Sequence, residues 1–266
     1  PPTASVFTVG WNGIVNENGA TYVAYLFAGG ESTQNEAVSV DFDGAGDYLT
    51  VAQSSDLEVG TGDFCIECWI NPEAYTANGG PFSHPGGLGL TINNNSKFGL
   101  AYAQGSTLLV DVPQTEVPLK QWTHVAVTRS SGSLKIFING TCKKTVTNNN
   151  NFNPASSGVA WIGYGSGAYL NGKISNFRIV KGSAVYTSSF KVPTSPLTNI
   201  TNTVLLCCNN SSSVTGKTVG PTISTSGDTA VRTDSPFDDP AAHVFGESGS
   251  SAEVLLATIL ICLKLI

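Results

Sequence analysis

Carboxylates, imidazoles and thiols are the side chains from which proteins build reactive chemistry, and this chain arranges few of them for it. Its three histidines are His84 in a Ser-His-Pro turn, His124 inside an apolar alternating run and His243 near the C-terminal end. No Gly-x-Ser-x-Gly elbow accompanies them, so a serine-hydrolase triad is not expected. Retaining glycosidases need two carboxyl groups about 5–5.5 Å apart, which Glu-x-Asp on one strand can supply. None of Glu17, Glu31, Glu36, Glu58, Glu67, Glu73, Glu116, Glu247 and Glu253 has an aspartate two residues later. Hydrolysis by that route is disfavoured, and the chain reads as a non-enzyme. Cys65 and Cys68 share one run with side chains on opposite faces, and Cys207 and Cys208 are adjacent, a poor start for a disulfide framework or a zinc site. With Cys142 and Cys262 they read as reduced thiols, which implies folding in a reducing compartment. Recognition without reaction has more to draw on. Aromatic faces stack on sugar rings while amides meet hydroxyls, and three loops offer both: Tyr164 and Tyr169 with Asn171, Asn93 to Asn95 with His84, and the Asn-rich run 148–153.

The elements that must position these groups are strands. Of 266 residues only 12% are charged, against about 25% in an ordinary soluble domain, while 41% are hydrophobic. Val, Ile, Thr, Tyr and Phe recur in short alternating bursts between turn residues. Phe64, Ile66, Cys68 and Ile70 share one face of a single run. Asp43-Gly-Ala-Gly-Asp47, Ser130-Ser-Gly132 and Asn139-Gly140 mark tight turns. So many short strands predict a two-sheet antiparallel sandwich of jelly-roll type, each sheet half-buried. Thirteen Lys and Arg against nineteen Asp and Glu give a net charge of −6 with no basic run, which excludes a phosphate-neutralising nucleic-acid surface. The one strongly apolar stretch, 254–263, is too short to span a bilayer.

Composition divides the chain into an N-terminal β arm or end of a preceding module over 1–36, a main all-β domain over 37–233, and a C-terminal linker or arm with an apolar end over 234–266. The first piece carries a hairpin signal at Asn18-Gly19.

Phe42-Asp-Gly44 with Gly46-Asp-Tyr-Leu49, Gly62 through Pro72, Gln121 through Arg129, Lys135 through Gly140 and Leu170 through Ile179 resemble, in order, the motifs of laminin-G-like, concanavalin A-like jelly rolls. The continuation Val180 to Phe190, Pro193-Thr-Ser-Pro196, Leu205 to Cys208 and Asp234 to Gly246 is similar to versions of the domain found in virion proteins of tailed bacteriophages. The resemblance implies calcium as a possible ion, held by Asp43, Asp47 and Asn176. It further implies a virion component assembled in the host cytoplasm, with other virion proteins and further copies of itself as partners. Glycan binding on a host surface, from a tail fibre or capsid, is its expected outward activity. A decoration subunit without a ligand is the alternative, and a polysaccharide-degrading enzyme the next.

Overall fold

The computed structural model describes residues 38–237 except 86, 93–94, 103–107, 154–157 and 166. The expected hairpin of 1–36, the apolar end 254–263, His243, Cys262 and Asn93 lie outside the described residues. In chain order the strands are β1 (Ser39–Asp43), β2 (Tyr48–Val51), β3 (Phe64–Ala74), β4 (Phe82–Ser83), β5 (Leu88–Ile92), β6 (Lys97–Tyr102), β7 (Leu108–Pro113), β8 (Thr123–Ser130), β9 (Ser133–Ile138), β10 (Thr141–Thr147), β11 (Ala160–Ile162), β12 (Asn171–Lys181), β13 (Thr203–Cys207), β14 (Lys217–Val219), β15 (Ile223–Ser226) and β16 (Ala230–Arg232). Among the described residues, helix is confined to the 3₁₀ turns Ser55–Leu57 and Gln114–Glu116, and no helix is long and apolar enough to cross a membrane.

The strands form two antiparallel sheets. The first runs β10-β9-β8-β3-β12-β1-β16, with β13 on a further stretch of β12 and β14 beside β13. The second runs β15-β2-β11-β4-β5-β6-β7. Period-two alternation decides what lies between them. Phe64, Ile66, Cys68 and Ile70 of β3 point inward with Val125 and Val127 of β8 and Ile174 of β12, against Leu49, Leu90, Leu100, Val110 and Ile162 of the second sheet. The turns fall where glycine and asparagine allow positive φ. Asn139 (φ 47) and Gly140 (φ 73) join β9 to β10. Gly172 (φ 148) lets β12 pass so close to β3 that a Cβ there would lie 2.5 Å from the Asn71 carbonyl.

One expectation fails in an informative place. The first sheet is not half-buried at its centre: nine consecutive residues of β3, Phe64 to Pro72, are buried on both faces. The segment 182–202, which has no regular structure, covers the outer face of β3, β8, β9 and β12. Tyr186 and Phe190 stack there with centroids 3.5 Å apart, and their rings meet His124 and Phe137. Trp69 lies on this outer face, edge-on to His124 and Phe237. Trp122 donates its indole N–H to Asp234 at 3.0 Å. Cys65, Cys68, Cys207 and Cys208 are buried free thiols and Cys142 is half-buried; burial pushes the first three of the buried set above the ordinary thiol range.

Candidate functional site

Four aromatic rings gather on the outer face of the second sheet. Leu49 and Val51 of β2 point into the core, so Tyr48 and Thr50 point out. In β11, Ala160 and Ile162 point inward and Trp161 outward, directly across from Thr50. The chain after β11 bends through Gly163, whose missing Cβ leaves room for the Phe42 ring; a Cβ would stand 2.3 Å from it. It then returns through a bridge between Tyr164 and Tyr169. Tyr48, Trp161, Tyr164 and Tyr169 line a cleft of about 190 Å³. Tyr164 lies 5.5 Å edge-on from Trp161 and 5.2 Å from Tyr169, and Tyr48 stacks on Tyr169 at 6.1 Å with 24° between planes. All four rings are half-buried, and register places Ser224 and Ser226 of β15 across from Thr50 and Tyr48. Such a surface can stack on a sugar ring and hydrogen-bond its hydroxyls.

The remaining expected ligand residues separate. His84 is buried with Nε2 3.2 Å from the Gly158 carbonyl, and burial lowers its pKa below the usual imidazole value; it ties two loops together. Asn171 begins β12 opposite Asp43, its side chain against Gly44. Tyr48 and Trp161 join the cleft without any loop motif to mark them; their signal in the sequence is that each occupies the outward position of a strand whose alternate residues are core.

The calcium set also divides. Asp43 and Asp47 come together, joined by Asp228, with ligand oxygens all within 4.8 Å of one another. Asp47 is buried and clips two crossings between the sheets: one carboxylate oxygen accepts from the Asp43 N–H at 3.1 Å, the other from the Asp228 N–H at 2.8 Å. Burial raises its pKa, the two N–H donors oppose this, and the neighbouring carboxylates raise it further. Three hard oxygen ligands at this spacing fit calcium. Asn176 belongs elsewhere, five positions along β12 from the Asn171 that faces Asp43, on the order of 16 Å away. It is fully buried with φ 52, donates to Ser175 and accepts from the Leu197 N–H at 2.7 Å. Its role is to anchor the covering segment.

A second cavity, of about 450 Å³, is bordered by Leu197, Asn199, Asn209, Asn210, Lys217 and Thr218 among others. It contains no aromatic ring, and its amides are engaged locally: Asn209 donates to Thr218 and Asn210 accepts from the Ser212 and Ser213 N–H groups.

Residues 43–185 match the model of the concanavalin A-like lectin/glucanases superfamily. The chain belongs to this superfamily. Among solved structures, this superfamily member is similar to a candidate carbohydrate binding protein from Bacteroides ovatus, at 16% identity and TM-score 0.53, covering 74% of this chain and 60% of that one. A heptameric SAP-like pentraxin from Limulus polyphemus aligns at 17% identity and TM-score 0.42 over 57% and 79% of the two chains. Domain 4 of a GH43 extracellular arabinanase from Geobacillus stearothermophilus, solved with arabinotriose, aligns at 21% identity and TM-score 0.40 over 49% and 65%. The chain thus spans about three fifths of the Bacteroides protein. No curated protein matches it in sequence.

Proposed function

We propose that this domain is a non-catalytic glycan-binding module and that the cleft of Tyr48, Trp161, Tyr164 and Tyr169 is where a sugar ring stacks. The observation that carries the reading is the cleft itself: four half-buried rings on the outer face of a sheet whose core is filled by other residues. Membership of a superfamily of lectins and glucanases supports it, as does the description of the Bacteroides ovatus protein as a candidate carbohydrate binder. A glycan array probed with the wild type and with Trp161→Ala tests it. Binding that disappears in the variant while the melting temperature holds supports the reading, and an array blank for both sinks it.

The finer reading is display on a bacteriophage virion for adhesion to a host surface. Its support is the likeness of 180–208 and 234–246 to virion proteins of tailed phages. Immunogold labelling of purified particles tests it; label confined to unassembled protein would end it. A ligand-free decoration subunit predicts a blank array together with label on the particle.

A further inference from the structure

We infer that the aromatic cleft selects uncharged sugar rings and turns away carboxylated ones; this rests on the glycan reading above and specifies its ligand. Two independent features of the cleft agree. First, among the described residues its lining carries no positive charge to pair a carboxylate. Its four lining side chains contribute only phenol hydroxyls and an indole N–H, and the neighbours across β2 are the hydroxyls of Thr50, Ser224 and Ser226. A guanidinium or ammonium supplies the counter-charge that gives a carboxylate its strongest hydrogen bonds. The cations that follow Tyr169 and Ser226 most closely along the chain, Lys173 and Arg232, are committed elsewhere: Lys173 to Glu73 and Asp234, Arg232 to Asp41.

Second, the rim is acidic. Asp47 immediately precedes Tyr48. Asp228 follows by two residues the Ser226 that pairs with Tyr48, and its N–H bonds Asp47. Asp43 pairs with Asn171, two residues beyond Tyr169. Asp43 and Asp228 are exposed, so their charge reaches solvent at the end of β2 from which Tyr48 starts. A uronate or sialate carboxylate brought onto these rings loses water, gains no counter-charge and meets two like charges. Hydroxyls and N-acetyl groups face no such opposition.

The test compares neutral glucan and galactan oligosaccharides with the same oligosaccharides oxidised to carboxylate at C6, by isothermal titration in EDTA at low salt and pH 7. The neutral members are expected to bind, and the carboxylated ones about tenfold more weakly. Asp43→Asn with Asp228→Asn narrows that gap by strengthening the carboxylated members, and so does added salt. Carboxylated members that bind as tightly as the neutral ones, with Trp161→Ala abolishing both, overturn the selectivity and leave the glycan reading standing. Oligosaccharides of both kinds that fail to bind overturn the glycan reading and this inference with it.

Discussion

A carboxylate with no exposed surface at the centre of a sheet requires partners, and Glu67 has a full set. Arg178 donates to Oε1 from Nε at 2.9 Å and Nη2 at 2.6 Å, while the Tyr186 hydroxyl donates to Oε2 at 2.9 Å. His124 Nε2 lies 3.1 Å from Oε2. An ionised carboxylate only accepts, so Nε2 carries the proton, which leaves the buried Nδ1 without a partner. Burial pushes the Glu67 pKa up, but the His124 hydrogen bond and the Arg178 charge outweigh it and hold the group below the ordinary value of 4.5. A depressed carboxylate contributes stability that is full above its unfolded pKa and is lost as pH falls through the folded one. Glu67→Gln, which leaves Arg178 buried and unpaired, should cost about 3–5 kcal/mol at pH 7. Urea titrations should show the difference from wild type shrinking as pH drops below 4.5; a gap constant down to pH 3 would contradict the assignment. In the sequence Glu67 is merely the polar member of an alternating run. Arg178 stands 111 positions away, and no local pattern announces that the two meet.

At the scale of elements, the covering segment 182–202 is what pattern reading misses. Alternation in β3, β8 and β12 correctly separates inward from outward residues, but it cannot tell that the outward set is roofed. The roof is fixed by single contacts: Thr128 to the Tyr186 carbonyl at 2.9 Å, Arg178 to the Thr198 carbonyl at 2.9 Å, and Lys135 to the Thr187 carbonyl. Gly140 serves both the β9–β10 turn and this roof. Its φ is 73, its carbonyl accepts from the Phe190 N–H at 2.9 Å, and a Cβ there would lie 2.2 Å from the Phe190 carbonyl. Gly140→Ala therefore combines left-handed strain of roughly 1–2 kcal/mol with displacement of the segment. Faster proteolysis around the exposed 187–189 stretch, beyond what the fall in melting temperature explains, is expected. A variant that is destabilised yet cleaved no faster would confine the effect to the turn. Asn139-Gly140 was legible as a turn from its residue types. Its second duty was not, because Phe190 is fifty residues further on.

On the scale of the whole molecule, the Asp47 clip adds to the apolar layer that holds one sheet over the other, as the Lys144–Asp111 pair between β10 and β7 does at another edge. Asp47 joins the crossing from β1 to β2 and the crossing from β15 to β16, so its two hydrogen bonds bind the sheets at one corner. The Asp-Gly-Ala-Gly-Asp run made the first crossing legible; Asp228 was invisible because 181 residues separate it from Asp47. Stability here carries a sign opposite to that of Glu67. The Asp47 pKa is raised above 3.8, so the contribution is greatest when the group is protonated and declines as pH rises through the unfolded and then the folded value. Removing a neighbouring charge should relieve that loss. In EDTA at pH 7, Asp228→Asn, at an exposed position, should be more stable than wild type by on the order of 0.5 kcal/mol, and so melt higher. Asp47→Ala, which leaves two N–H donors without an acceptor, should lose about 2–4 kcal/mol. Calcium should reverse the first ordering, because three carboxylates bind a divalent ion better than two. Wild type would then melt above Asp228→Asn, and the crossover should track calcium concentration in differential scanning calorimetry. A wild type already more stable than Asp228→Asn in chelator would mean that Asp228 contributes through contacts rather than opposing the fold through charge.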